Sequence, residues 1–256
     1  MAEWVKRFSL AGRKALVTGA SKGIGAEICR VYADAGADVV AVARDARGLA
    51  ETRAAVEAQG RRCLVVEADL ATVDGPGTAA RTALDAWGTI DILVNDAGVA
   101  RTAPALELSL EDWETTMAVN VRAPFLLARA LAPAMIAQRW GKIVNISSQT
   151  GVIALEDHAA YATSKGALNA LTKSLMAEWA RHNVQVNAIC PTVVMTPMGR
   201  RVWAPSPRTT AFIEGTPAKR FGEPVEIADL ALYLASPAAE LINGELIMIE
   251  GGFSSV

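Results

Sequence analysis

A chain of 256 residues, 52% hydrophobic, 5% aromatic and 20% charged, has the composition of a folded globular protein and not of a disordered one. Lys plus Arg number 25 against 27 for Asp plus Glu, a net charge of −2, so there is no basic surplus to bind nucleic acid. Cys29, Cys63 and Cys190 are odd in number and far apart, which argues against a disulfide framework or a zinc site.

Such a chain is large enough to hold a core without covalent staples. The amino-terminal MAEWVKRFSLAGRK has no apolar run of signal length, and no later uncharged apolar run reaches membrane-spanning length, so a soluble, cytoplasmic protein is expected. The mean hydropathy of +0.25 leaves apolar surface for subunit contacts.

In chain order, short apolar runs at 14–20, 38–43, 63–68, 91–95, 142–147 and 184–190 read as strands. Each is nearly continuous and not alternating, as expected for strands of a parallel sheet covered on both faces. Between them, helical periodicity marks 24–35, 46–58, 78–87, 110–138 and 161–181. Gly36, Gly60, Gly88 and Gly141 stand where each helix would stop. Strict alternation of this kind predicts an α/β fold: one domain with a doubly wound, Rossmann-type parallel sheet. Only 196–223, rich in proline, breaks the alternation, and it is expected to form an inserted mobile lid.

The first strand runs into TGASKGIG, with Gly19, Ser21, Lys22, Gly23, Ile24 and Gly25 placed between a strand and a helix. A glycine at the turn, a second that admits a pyrophosphate, a third that lets helix and strand pack, and a free helix amino terminus together describe a phosphate-binding turn. The competing reading, glycines that merely end a strand, is weakened by the spacing and by the position after the first strand. At the end of the second strand Ala43 replaces the acidic residue that would accept from ribose hydroxyls, and Arg44 follows. With Lys22 in the loop, that predicts NADP(H) over NAD(H), because a guanidinium binds a 2′-phosphate through paired N–H donors. Asp45 is better read as the N-cap of the next helix than as a signal for NAD.

Tyr161 and Lys165 lie four residues apart on one helix face, where an ammonium lowers the pKa of a nearby phenol. Ser148 follows the fifth strand, at the end of the sheet where ligands bind in such folds. Taken jointly, TGASKGIG, NDAG at 95–98, Asn120, Ser148 and YATSK at 161–165 resemble the short-chain dehydrogenase/reductases over essentially the whole chain.

That resemblance implies a catalytic tetrad of Asn120, Ser148, Tyr161 and Lys165. Tyr161 exchanges the proton with the substrate oxygen, Ser148 holds that oxygen, Lys165 binds the nicotinamide ribose and lowers the tyrosine, and Asn120 anchors a water. It further implies that Asp69, Leu70 and Asn95 lie near the adenine, Ala97 and Gly98 beside the cofactor, and Pro191, Val194 and Thr196 around the nicotinamide. No metal is required.

Two positions depart from the family pattern. Asp96 replaces an asparagine and Thr192 a glycine. Thr192, Trp203, Gln149 and His158 resemble the dicarbonyl/L-xylulose reductase and polyol dehydrogenase branch, which implies a small polar ketone or polyol as substrate. The four would contact it, although His158 and Gln149 read equally well as loop polars, and Trp203 either closes the lid or packs it. The resemblance also implies a homotetramer built on the long helices. A 3-oxoacyl or other bulky-ketone reductase, and a noncatalytic NADP-binding module, are the competing expectations.

Overall fold

The computed structural model describes residues 2–256. Seven parallel strands form one sheet in the order β3-β2-β1-β4-β5-β6-β7, where β1 is Lys14–Thr18, β2 Asp38–Ala43, β3 Cys63–Glu67, β4 Ile92–Asn95, β5 Gly141–Ile146, β6 Val184–Pro191 and β7 Leu246–Ile249. The order reverses between β1 and β4, and at such a point the loops leaving the strand ends diverge and open a crevice.

Ten α-helices accompany the strands. They are α1 (Glu3–Lys6), α2 (Gly23–Asp34), α3 (Ala46–Ala58), α4 (Gly75–Trp87), α5 (Leu110–Met117), α6 (Ala123–Ala137), α7 (Ala159–Trp179), α8 (Pro197–Val202), α9 (Pro207–Gly215) and α10 (Pro224–Ala235).

The continuous apolar strands feed two cores. Ala15 and Val17 of β1, with Val39 and Ala41 of β2, pack against Ile28, Leu49 and Ile227 of α2, α3 and α10. Leu16, Val40 and Val42 point the other way, toward Ala79, Leu127 and Leu175 of α4, α6 and α7. Successive side chains of a strand alternate faces, so burying both faces favours apolar residues at most positions.

The predicted helix 110–138 is three segments. Between α5 and α6 the backbone widens into a π-helical turn over Ala118–Arg122. Pro124 supplies a reason, since it has no N–H to give to the Asn120 carbonyl four residues back. The run Leu110–Ala137 is long and apolar enough to cross a membrane by length and composition, yet half of it is buried inside the protein.

Gly36, Gly60 and Gly88 do close α2, α3 and α4 at positive φ. Gly141 does not close a helix. It opens β5, with its α-carbon pressed against Met135, and the left-handed residue after α6 is Arg139 at φ 54°.

Sequence periodicity missed β7, α10 and both helices of the segment 196–223. β7 has four half-buried residues and pairs with β6 alone, so it carries little hydrophobic pattern. α10 opens with Pro224 and a reciprocal cap between Glu223 and Glu226, signals that hide inside a proline-rich stretch.

Candidate active site

The carboxyl ends of β1, β2, β4, β5 and β6 open onto a cleft of about 640 Å³. At one end β1 turns through Gly19, at φ +70°, into α2. A β-carbon on Gly19 would stand 2.9 Å from the Asp96 carboxylate, and one on Gly25 would stand 2.6 Å from the Gly19 carbonyl. Only glycine fits at both places, which brings the amino terminus of α2 against the strand ends. Lys22, the residue before α2, makes no side-chain cap, so the first N–H groups of the helix keep no protein partner from that side chain. This is a cradle for an anionic group.

Ser21, Lys22, Gly23 and Ile24 line that end of the cleft with Arg44, Asp69 and Leu70. Arg44 and Asp69 face each other at 3.7 Å, and both are exposed. Asp45 accepts from the Gly48 N–H at 3.2 Å, as an N-cap of α3, and so is committed to the helix.

Asn95 is placed differently from the expectation that set it near the adenine. Its Nδ2 donates to Asn145 Oδ1 at 2.8 Å, and Asn145 Nδ2 donates to Thr172 Oγ1 at 2.9 Å. The side chain therefore ties β4 to β5 and α7 beneath the site, while Asp96, Ala97 and Gly98 line the cleft.

At the other end Ser148, Tyr161 and Lys165 converge with Asn120. The Ser148 hydroxyl oxygen accepts from the Thr150 N–H at 3.2 Å and from its hydroxyl at 2.9 Å. Lys165 donates from Nζ to the Ile146 carbonyl at 2.7 Å, and Nζ lies 5.6 Å from the centre of the Tyr161 ring. A β-carbon on Gly98 would lie 3.6 Å from that Nζ and 3.5 Å from Asn120 Oδ1, so nothing larger separates Lys165 from Asn120. Asn120 Oδ1 accepts from the Val99 N–H at 2.9 Å, and its Nδ2 donates to the Val99 carbonyl and to Ser164 Oγ.

Burial dominates the electrostatics. It pushes the Tyr161 hydroxyl up to about 12, against the lowering influence of Ser148, and the Lys165 ammonium down to about 8, against the attraction of Asp96. In the free protein the tyrosine is thus held in its acid form. The expected lowering of Tyr161 by Lys165 does not overcome that burial.

Of the expected substrate contacts, Gln149, His158, Thr192 and Trp203 all line the cleft. The His158 ring packs edge-on to Tyr161 and its Nδ1–H donates to the Glu156 carbonyl, which leaves Nε2 as the second ring nitrogen. Gln149 Oε1 and Thr192 Oγ1 are buried and have no partner. Trp203 packs at 4.5 Å against Phe212, tilted by 53°, so it both lines the cleft and joins α8 to α9. Pro191, Val194 and Thr196 border the cleft, with Thr196 Oγ1 accepting from Gly199 N–H to cap α8. α9 is joined to the loop before α7 by Arg208 and Asp157 at 3.5 Å, a pair no sequence pattern indicated. Among the described residues no group of three or more His, Cys, Asp or Glu is arranged to hold a metal.

Residues 19–254 match the family model described as Enoyl-(Acyl carrier protein) reductase. The chain is 43% identical over 247 residues to D-threitol dehydrogenase of Mycolicibacterium smegmatis, covering 96% of this chain and 95% of that one. The chain belongs to the short-chain dehydrogenase/reductase family. It is also 40% identical to L-xylulose reductase of Bos taurus, over 95% of this chain and 97% of that one. A crystal structure of a gluconate 5-dehydrogenase from Burkholderia cenocepacia in complex with NADP and tartrate superposes with a TM-score of 0.93 at 34% identity, covering 99% of this chain and all of the other.

Within the family the chain lies in the polyol dehydrogenase branch, and it is an oxidoreductase acting on CH–OH groups with a nicotinamide dinucleotide. The cradle fits that cofactor: two glycines admit a close backbone approach, and a helix amino terminus faces the cleft.

Proposed function

We propose that this dehydrogenase/reductase uses NADP(H) to interconvert a small neutral polyol and its hydroxylated ketone, and reduces small dicarbonyls by the same chemistry. The observation that carries the substrate class is the pair of buried, partnerless oxygens, Gln149 Oε1 and Thr192 Oγ1, in the cleft that holds Ser148 and Tyr161. A buried acceptor without a partner costs about 1–3 kcal/mol, so a ligand hydroxyl that donates there is favoured. A sugar acid offers the same hydroxyls, but its carboxylate meets no Lys or Arg side chain beside them. Among the described lining residues the Lys and Arg side chains are Lys22 and Arg44, at the adenosine end, and Lys165, which is bonded to the Ile146 carbonyl. The similarity to D-threitol dehydrogenase and L-xylulose reductase supports the same class.

The nicotinamide, when bound, supplies or accepts the hydride. Tyr161 gives its proton to the ketone oxygen as that oxygen gains charge, and takes it back in the oxidative direction. Ser148 Oγ already accepts twice, so its own proton is the one it can offer to the substrate oxygen. Lys165 has three donors and gives one to Ile146, which leaves two for the ribose hydroxyls. The Asn120 side chain is fully engaged, so its carbonyl, which Pro124 cannot reach with an N–H, is the atom left to hold a water behind Lys165. Arg44 and Lys22 select the 2′-phosphate, because Asp45 is occupied as a cap.

The enzyme is proposed to work as a cytosolic homotetramer. Met117, Val121, Phe125 and Leu171 line a hollow on the outer face of α5, α6 and α7, where apolar side chains gain from a second copy. The three thiols are unpaired, as suits a reducing compartment.

The test is loss of reduced-nicotinamide absorbance with NADPH and NADH in parallel, against L-xylulose, diacetyl, other ketoses, a keto sugar acid and a bulky 3-oxoacyl ketone. Turnover of the neutral substrates with NADPH is expected. Preference for the sugar acid or the bulky ketone overturns the substrate class, equal use of NADH overturns the Arg44 argument, and dinucleotide binding without turnover of any carbonyl favours a noncatalytic module.

A further inference from the structure

We infer that Asp96 is a positioning residue that couples the dinucleotide turn to the Tyr161–Lys165 pair, taking up a proton when an anionic pyrophosphate comes to lie over the turn. The inference rests on the dinucleotide reading above and goes beyond it, because the family pattern has an asparagine here that cannot titrate.

The geometry fixes the carboxylate between the two halves of the site. Thr18 Oγ1 accepts from the backbone N–H groups of Asp96 and Ala97, each at 3.0 Å, and so clamps the end of β4 to the end of β1. Asp96 Oδ2 then lies 2.9 Å and 2.7 Å from the points where β-carbons on Gly19 and Gly25 would stand. Gly25, in the first turn of α2, faces this carboxylate, and its backbone N–H works to lower the carboxyl. One side of the glycine turn therefore faces the cleft and the other rests on Asp96, which itself keeps a partly exposed edge in the cleft.

The groups that face Asp96 come from each element packed around it. α7 contributes Lys165, whose ammonium attracts the carboxylate, and Tyr161, whose hydroxyl the carboxylate pushes up. α2 contributes the thiol of Cys29, which burial above all, then Cys63 and Asp96, push up. Cys190 of β6 acts on Lys165, and Lys22 of the turn is exposed. Lys165 is the cation that acts on Asp96, and its attraction does not compensate for burial, so the carboxyl is held up at about 7.

Near neutral pH the free protein is thus a mixture of Asp96 carboxylate and carboxylic acid. A pyrophosphate on the glycine turn adds negative charge and displaces the water that screens the carboxylate, and both effects favour the acid. Once Asp96 is neutral, Lys165 loses its counter-charge and Tyr161 loses the anion that opposes its ionisation. Binding of the dinucleotide thereby prepares the proton-transfer pair. The sign is fixed: a group whose pKa rises on binding weakens that binding as pH climbs through its free value.

The experiment is calorimetric titration of wild type and Asp96→Asn with NADPH and with NADH, in buffers of different ionisation enthalpy, from pH 6 to 9. Asparagine keeps an oxygen facing Gly25, and any proton exchanged by the 2′-phosphate cancels between the two proteins. At pH 7 the wild type should take up about half a proton per site more than the variant, and its Kd should weaken relative to the variant by up to about tenfold per pH unit above 7. Equal proton uptake and parallel Kd profiles overturn the inference and leave the dinucleotide reading standing. If neither protein binds either dinucleotide, that reading fails and the inference with it. If the variant does not fold, wild type alone decides: no proton uptake and a Kd flat between pH 6 and 8 overturn the proposal.

Discussion

Replacing Asn145 with alanine tests whether the strand-to-helix tie under the active site carries the stability that its burial implies. Asn145 is 1% exposed, accepts from Asn95 Nδ2 at 2.8 Å and donates to Thr172 Oγ1 at 2.9 Å. Its loss leaves Asn95 Nδ2 buried without a partner, because Asn95 Oδ1 already has none and the residue is 3% exposed. A stranded buried donor costs about 1–3 kcal/mol. Thr172 still donates to the Leu168 carbonyl, so its lost acceptor role adds less, and the small void adds under about 1 kcal/mol. The sum is roughly 2–4 kcal/mol, or a fall in Tm of about 4–16 °C for a domain of this size. Thermal unfolding followed by circular dichroism measures it. The double variant Asn95→Ala/Asn145→Ala should lose less than the sum of the single variants, since removing both partners strands nothing. A Tm for Asn145→Ala within about 2 °C of wild type, or strict additivity in the cycle, would refute the reasoning.

Tyr161→Phe keeps the ring against His158 and removes the proton donor, so turnover in the carbonyl assay should fall by about 10²–10⁴ with an unchanged fold by circular dichroism; residual activity within tenfold contradicts the assigned role. Lys142 is fully buried with no partner for Nζ, and burial pulls its ammonium down to about 8. Below pH 8 the native state carries the cost of that charge, which disappears as pH rises toward 10.5, where the unfolded lysine also loses its proton. Lys142→Met should therefore raise stability at pH 7 by up to about 3 kcal/mol, with the gain closing toward pH 10; urea unfolding at both pH values reads this, and a lower stability at pH 7 contradicts it. Trp203→Ala should raise KM for small ketones about tenfold or more while changing kcat less, because the ring lines the cleft. An unchanged KM with a lower Tm would instead restrict Trp203 to its packing against Phe212.

The parts of the site legible in the sequence are those fixed by local chain geometry. Gly19 and Gly25 have no room for a β-carbon, and Tyr161 and Lys165 share a helix face because they are one turn apart. Asp45 as a cap follows from its position before α3. The roles that escaped pattern reasoning depend on partners far away in the chain. Asn95 joins a buried tie because Asn145 and Thr172 arrive from β5 and α7, and the Arg208–Asp157 pair joins α9 to the loop before α7. Asp96 was visible as a departure from the family, but its place under Gly25 and near Lys165 required both elements in position.

The sequence by itself determined the alternation of strand and helix, the single sheet buried on both faces and the residue types of the site, because continuous apolar runs, glycine turns and one-turn spacings are local signals. Tertiary structure decided the short seventh strand, the three helices of 197–235 and the π-helical turn at Asn120, where hydrophobic pattern is weak or interrupted by proline. It also decided which polar atoms are left without partners. Whether Gln149 Oε1 or Thr192 Oγ1 is satisfied depends on every neighbour that packing brings within 3 Å or so, and that is a property of the assembled fold.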